Sequence, residues 1–308
     1  MIPALFAIFS GLILLYGGGE LIVRSSLLFS CKAGISPLFT GLFILSFCTS
    51  LPECMVTFLA HLERKSGDLV MGNLVGSNLA NLGWVLSTTA LLRPISLLKT
   101  NLTLELLFST LAPLLLIGCM GSTSTLKQTS GGLLLSLFIC FVMVKWQRGE
   151  KKRTVPENFA LPSLLFPLVK MGGGAFLLFV GGKLFLSGAV TLARLYLISE
   201  SVIGIFLLAL GTSLPEWVTS LLAAFKGEND LVLGNLLGSN LFNLLAILGT
   251  ALLTAPLSCS SSFFSRDLPL LFGFQLLLWI RTSARLPLSR LFSLFLLSLY
   301  LLYAFLMA

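Results

Sequence analysis

The chain has little charge. Only 10% of its 308 residues are Asp, Glu, Lys or Arg, where a soluble domain carries about a quarter. A water-facing surface cannot be covered with so few, so a soluble globular fold is excluded. Histidine is nearly missing, with His61 the single example, at the end of an apolar run and read as a loop residue without a role. The six cysteines (Cys31, Cys48, Cys54, Cys119, Cys140 and Cys259) lack metal-ligand spacing. Most fall in apolar runs and are expected to be buried free thiols. The period-two alternation of a membrane barrel is also absent.

What is present is apolar sequence. Hydrophobic residues make up 56% of the chain. Runs of about 20 such residues, each long enough to cross a hydrocarbon core of about 30 Å, recur from end to end. Ten are counted: about 2–22, 37–60, 69–92, 102–120, 130–147, 163–192, 201–225, 231–254, 263–280 and 287–307. Helices satisfy their own backbone in lipid, so the pattern predicts an all-α integral membrane protein. The first run has no basic leader and no cleavage signal, and is read as a retained helix. Thirteen basic residues, from Arg24 to Arg290 and including Lys145, fall in alternate loops, against five in the opposite ones. That asymmetry puts both termini on the non-cytoplasmic side. It also accounts for the formal charge of +8 without invoking nucleic acid. The expected location is the cell membrane, plasma or inner, and the lipid bilayer is the expected surrounding; no obligate protein partner is evident.

Two stretches break the apolar pattern in the same way. "SFCTSLPECMVTFLA" begins at Ser46 and "ALGTSLPEWVTSLLA" at Ala209. A shift of 163 residues superposes Thr49–Glu53 on Thr212–Glu216 and Gly18-Gly19 on Gly181-Gly182. A shift of 162 superposes "GNLVGSNLANL" (Gly72–Leu82) on "GNLLGSNLFNL" (Gly234–Leu244), with nine of eleven positions identical. Chance likeness between Leu-rich helices would match leucines rather than Gly, Asn, Ser, Pro and Glu, so the chain is an internal duplication. The halves are 1–147 and 163–308, joined by a basic cytoplasmic linker, 148–162. Each half holds five spans; five is odd, so the second enters the membrane from the opposite side. The predicted fold is therefore ten transmembrane helices in two inverted five-helix repeats, an arrangement common in secondary transporters.

The repeated motifs have a definite chemistry. Pro52 lacks an N–H and its ring pushes on the preceding turn, so carbonyls near Ser46–Cys48 are expected to lose their partners, and those of Ala209–Gly211 likewise. Thr49 and Ser50 stand one turn from Glu53, as Thr212 and Ser213 do from Glu216. Asn73, Ser77 and Asn81 form a polar stripe, repeated by Asn235, Ser239 and Asn243. A carboxylate at the centre of a span costs roughly 2.5–3.5 kcal/mol on insertion scales. A cation between Glu53 and Glu216 relieves that cost and their mutual repulsion. Every available ligand is oxygen, which suits Ca²⁺ or Na⁺ rather than Zn²⁺ or Cu²⁺. Two carboxylates neutralise one Ca²⁺; sodium ions or protons must compensate when it leaves, and such competition is the basis of exchange.

"TSLPE" twice, each followed by "GNxxGSNxxN", resembles the alpha-repeats of the sodium/calcium exchanger branch of the cation/calcium antiporters. The likeness spans nearly the whole chain. It implies an antiporter with no cofactor, exporting Ca²⁺ against Na⁺ by alternating access. It further implies one central Ca²⁺ site flanked by Na⁺ sites. Its binding groups map onto Thr49, Ser50, Glu53, Ser77 and Asn81 with the Ser46 carbonyl, and onto Thr212, Ser213, Glu216, Ser239 and Asn243 with the Ala209 carbonyl. The first and sixth helices would slide, with Gly17–Gly19 and Gly181–Gly182 forming the contact. This chain departs from the pattern in two places. Cys48 stands where the other half has Gly211. Asn243 stands where many relatives, including potassium-dependent ones, have Asp, which argues against K⁺ co-transport. Glu20 and Lys183 are read as structural or interfacial, and Glu105 and Asp267 as facing headgroups.

Three other readings compete. A proton-coupled Ca²⁺ antiporter would use the same ligands. A cation channel would need no counter-ion and would more often be built with rotational symmetry. A serine hydrolase using Ser50 or Ser213 needs a nearby base, but His61 is eleven residues from Ser50 and has no counterpart in the second half.

Overall fold

A computed structural model describes residues 1–63, 67–97, 101–120, 125–148, 162–197 and 209–307. The helices are α1 (Ile2–Ala33), α2 (Pro37–Thr49), α3 (Leu51–Leu62), α4 (Gly67–Leu92), α5 (Thr103–Met120), α6 (Gln128–Gln147), α7 (Pro162–Leu195), α8 (Ala209–Thr212), α9 (Leu214–Phe225), α10 (Asn229–Thr254), α11 (Phe263–Ser283) and α12 (Arg290–Met307). Among the described residues seven are long and apolar enough to cross a membrane, and α2 with α3, bent by 48°, makes an eighth. Two more expected spans correspond to shorter apolar helices, Thr103–Cys119 and α9. Residues 198–208 ahead of α8 lie outside the described residues, as do 149–161 of the expected linker.

The break between α2 and α3 has a local cause. Ser50 leaves helical geometry (φ −84°, ψ 5°) and Pro52 follows in the first turn of α3. Proline is tolerated there because no helical carbonyl needs its N–H. Ser213 (φ −87°, ψ 7°) and Pro215 repeat the device between α8 and α9. The other half-site helices, α4 and α10, each contain a π-helical turn, Asn81–Leu86 and Phe242–Ile247. Such turns disturb the regular hydrogen-bond ladder and often mark functional positions. These two helices form the centre of the protein: 72% and 78% of their spans are buried, against 33% and 28% for α1 and α7.

Helices α1 and α7 have 32 and 34 residues. At ~1.5 Å per residue each is about 50 Å long, which requires tilt in a core of about 30 Å. They pack main chain against main chain. A Cβ on Gly11 would lie 2.6 Å from the Phe185 nitrogen, on Gly18 2.8 Å from the Gly174 oxygen, and on Gly188 2.6 Å from the Ala4 oxygen. Glycine is required at this approach. The matched positions climb α1 while descending α7, so the two helices run antiparallel. Of the expected glycines, Gly18 and Gly181 lie in this contact and the others do not. Gly17 is exposed, Gly182 has no described neighbour near its Cβ position, and Gly19 meets Val218 and Leu222 of α9 instead. A similar approach joins α2 to α10, where Cβ atoms on Gly234 and Gly238 would each stand 2.5 Å from main-chain oxygens of Leu38 and Leu42. Near the ends of the bundle, Thr125–Leu126 pairs antiparallel with Leu257–Ser258, and Ile95 bridges to Leu288. The 162-residue shift relates the Leu126–Leu257 pair to the Leu288–Ile95 pair.

Several charges are placed differently from expectation. Glu105 does not face headgroups. It is fully buried in the first turn of α5 and pairs at 2.5 Å with Lys145, 4% exposed, in the last turn of α6. Lys145 is thus a buried partner rather than a loop charge. Asp267, the 162-residue counterpart of Glu105, is also buried; it accepts hydrogen bonds from Arg266 Nε (2.8 Å) and Tyr303 Oη (3.1 Å). In each half, an acid at the start of one helix is satisfied by the following helix. Glu20 receives Lys226 at 2.9 Å and also Arg24, tying α1 to the end of α9. Lys183 lies 4.4 Å over the Phe179 ring. His61 sits in the last helical turn of α3, not in a loop. All six cysteines are free, but only Cys259 is buried, and Cys31 and Cys140 lie on the outer face. The expectation of buried thiols holds for one of them, because a membrane protein also displays apolar side chains outward to lipid.

The Glu105–Lys145 pair gives a stability prediction. Removing one member of a buried ion pair costs ~3–5 kcal/mol, whereas replacing both is often nearly neutral. Lys145→Met should lower the melting temperature in detergent markedly, and Glu105→Gln/Lys145→Met should recover most of the loss. Equal melting for the single and double variants would show that the pairing contributes nothing.

Candidate cation-binding site

The two broken helices bring Glu53 and Glu216 to the middle of the bundle, each 1% exposed. The hydroxyls of Ser77 (3.4 Å) and Ser239 (3.3 Å) donate to one oxygen of Glu53 and Glu216 respectively. Contacts also cross between halves: Thr49 Oγ1 lies 3.4 Å from Ser239 Oγ, and Ser77 Oγ lies 3.3 Å from Thr212 Oγ1. Ten predicted site residues therefore form one cluster, with Ser50 and Ser213 at the two breaks and Asn81 and Asn243 one turn beyond the serines. Ser46 lies beside them, but its carbonyl is not free. It accepts the Ser50 N–H (2.9 Å) and the Thr49 hydroxyl (3.2 Å). Ala209 begins the short helix α8 in the corresponding place.

A supporting layer holds the motifs. Asn73 Nδ2 donates to the Glu53 carbonyl and to Thr57 Oγ1, both at 3.0 Å. Asn235 Nδ2 donates to Thr219 (3.1 Å) and Ser220 (3.2 Å), and its oxygen accepts from Thr49 at 3.1 Å. Beyond them, Asn78 and Asn240 join α4 to α10 by reciprocal amide bonds. Reading the sequence missed these two, although both stand in the duplicated "GSN" triplet. They lie off the Asn-Ser-Asn stripe, and their meeting is visible only once the helices cross. An apolar cleft of about 210 Å³, lined by Phe47, Leu51, Cys54, Phe58, Phe242, Ala246, Ile247 and Thr250, reaches the site at Ser50.

Six buried oxygens in this cluster have no hydrogen-bond partner: Ser50 Oγ, Glu53 Oε2 and Asn81 Oδ1, with Ser213 Oγ, Glu216 Oε2 and Asn243 Oδ1. They are the same three atoms from each half. An unsatisfied buried polar group costs about 1–3 kcal/mol, and more if charged. Six together are tolerable only if something meets them. Carboxylate and amide oxygens accept, so the fitting occupant is positive. An all-oxygen set of this kind suits a hard cation; among the described residues no group of three His, Cys, Asp or Glu side chains could hold a metal.

Apolar helices long enough to cross a membrane, with two helix breaks beside a cluster of unpaired oxygens, are the features of an ion-transporting membrane protein. The relatives make this specific. Residues 3–147 and 167–308 match the model of the family described as sodium/calcium exchanger protein. The chain belongs to that family. It is 33% identical over 278 residues to the putative antiporter CaxA of Alkalimonas amylolytica, covering 87% of this chain and 86% of that one. It is 28% identical over 315 residues to the sodium/calcium exchanger MaX1 of Methanosarcina acetivorans, covering 89% and 90%. Its fold is similar to that of the sodium-calcium exchanger NCX_Mj soaked with Na⁺ and Sr²⁺, with a TM-score of 0.83, 30% identity and 98% of each chain covered.

Proposed function

We propose that this protein exports Ca²⁺ in exchange for Na⁺ by alternating access, with the cluster around Glu53 and Glu216 as its binding site. The observation that carries the reading is the set of six unpartnered oxygens. Glu53 and Glu216 hold Ca²⁺ centrally. Thr49, Ser50, Ser77 and Asn81, with Thr212, Ser213, Ser239 and Asn243, complete that site and its flanking Na⁺ sites, aided by the Ser46 and Ala209 carbonyls. In the conformation described, Thr49 would turn its hydroxyl away so that the Ser46 carbonyl, still bonded to the Ser50 N–H, offers its second lone pair. Asn243 keeps the site at two carboxylates, which matches one Ca²⁺ and gives no place for K⁺. The chain acts without an obligate partner.

The architecture proposed for this mechanism is ten spans in two inverted halves, 1–147 and 163–308, joined by the basic segment 148–162 in the cytoplasm. Both termini lie outside, in the cell membrane. The antiparallel contact of α1 with α7, which the 163-residue shift makes equivalent, supports the inversion. The glycine-rich contact between them also supports motion of one helix along the other.

Liposomes loaded with Na⁺ should accumulate labelled Ca²⁺ when diluted into Na⁺-free medium, and a K⁺ gradient should not replace Na⁺. Uptake driven by a pH gradient and indifferent to Na⁺ would establish proton coupling instead. Ca²⁺ flux with no counter-ion gradient requirement would reject exchange altogether.

A further inference from the structure

Asn78 and Asn240 are buried, 0% and 1% exposed. Their bonds decide something that the ligand residues leave open. An amide side chain has an oxygen on one side and an NH₂ of nearly the same shape on the other. Only the oxygen attracts a cation. Were Asn81 or Asn243 turned over, it would aim N–H donors at the ion.

The polarity is fixed by a chain of bonds that starts at the main chain. The Asn240 carbonyl can only accept. Asn78 therefore meets it with Nδ2, at 3.0 Å, and its Oδ1 is turned toward Asn243. Asn243 must donate there, and Nδ2 does so at 2.9 Å. Its own Oδ1 is left for the site. The reciprocal chain runs the other way. Asn240 Nδ2 faces the Asn78 carbonyl at 3.5 Å, and Asn240 Oδ1 accepts from Asn81 Nδ2 at 3.0 Å. That leaves Asn81 Oδ1. Both leftover oxygens are among the six without partners.

We infer that Asn78 and Asn240 are positioning residues that lock Asn243 and Asn81, respectively, with their oxygens toward the transported cation. This deepens the exchanger reading and rests on it. Each lock acts across the boundary between the halves. It also explains the amide at position 243. A carboxylate there would set an acceptor against Asn78 Oδ1. Asn78 could not turn to help without placing that oxygen against the Asn240 carbonyl.

The test is Ca²⁺ titration of the purified full-length protein in detergent, with Ca²⁺-free melting measured alongside. Partners behind metal ligands are typically worth 10–100-fold in affinity, so Asn78→Leu and Asn240→Leu should each weaken Ca²⁺ binding by roughly that factor. Thr88→Val removes another, half-buried contact of α4, the 3.0 Å bond from Trp217 Nε1; it should lower the melting temperature without moving the affinity. Double variants discriminate further, because coupled residues are non-additive. With Asn243 already changed to Ala, Asn78→Leu should have no further effect on Ca²⁺ affinity. The same holds for Asn240→Leu in an Asn81→Ala background. The crossed combinations should multiply. Asn78→Ala and Asn240→Ala carry the same comparison if the leucine variants do not fold. Ca²⁺ binding by the unaltered protein, together with multiplying losses in the matched pairs, overturns the positioning role alone. Absence of Ca²⁺ binding by the unaltered protein overturns the exchanger reading and this inference with it.

Discussion

Glu53→Gln and Glu216→Gln should each abolish Na⁺-driven Ca²⁺ uptake while leaving a folded protein. One pair of unit charges about 4 Å apart is worth about 4 kcal/mol at an effective dielectric of about 20. A divalent ion strengthens that attraction. At about 1.4 kcal/mol per decade, losing one carboxylate weakens Ca²⁺ binding by roughly three orders of magnitude. Gln keeps the shape of Glu and can still accept from Ser77 or Ser239. A neutral amide also costs less than a carboxylate to keep buried with no ion beside it. The variants should therefore melt no lower than the parent without Ca²⁺ and lose the stabilisation that Ca²⁺ gives. Labelled uptake and melting with and without Ca²⁺ measure both. Normal exchange by either variant would remove these side chains from the centre of the mechanism.

Substituting the glycines between α1 and α7 should have an effect of similar size on folding. Gly18→Leu and Gly181→Leu would each place a Cβ at 2.8 Å from a main-chain atom of the facing helix. Adding even single methylenes to a packed interior costs about 1–3 kcal/mol, and here the obstacle is backbone, which cannot swing aside. Gly17→Leu and Gly172→Leu are the controls, because both positions are exposed with nothing near the Cβ position. Leucine is the better helix former, by somewhat less than the roughly 0.8–1.0 kcal/mol that separates glycine from alanine, so the controls should be unharmed or slightly stabilised. The first pair should yield little monodisperse protein by gel filtration, and the second pair normal amounts. Similar yields from all four would mean that the close crossing is dispensable.

Much of the candidate site was legible in the sequence because its residues are expensive where they stand. Glu in an apolar run and Pro inside a span need a reason, and duplication ruled out accident. The all-helical character followed from run length alone. What escaped was whatever depended on how helices meet. Gly18 and Gly181 of the expected glycine clusters do meet the facing helix, but Gly11 and Gly174, seven residues away from each, share the contact, while Gly17, Gly19 and Gly182 lie off it. Glu105 and Lys145 stand at opposite ends of different spans. They read as headgroup and loop charges until the hairpin of α5 and α6 folded them together. Asn78 and Asn240 were in plain view, but the stripe rule assigns them to another side of the helix. The Ser46 carbonyl looked free from the position of Pro52, yet the turn retains its bond through Ser50.

The oxygens left over at the centre come in matching triplets, one from each half. Such a lining has no front and no back. In the exchange proposed above, an ion seated among them would meet the same three atoms from either half. Net flow is left to the gradients. For the proposed exchange, a kinetic bias between forward and reverse turnover would then come from positions where the duplication has drifted, among them Cys48 against Gly211 and the Glu105–Lys145 clasp against the Asp267–Tyr303 one.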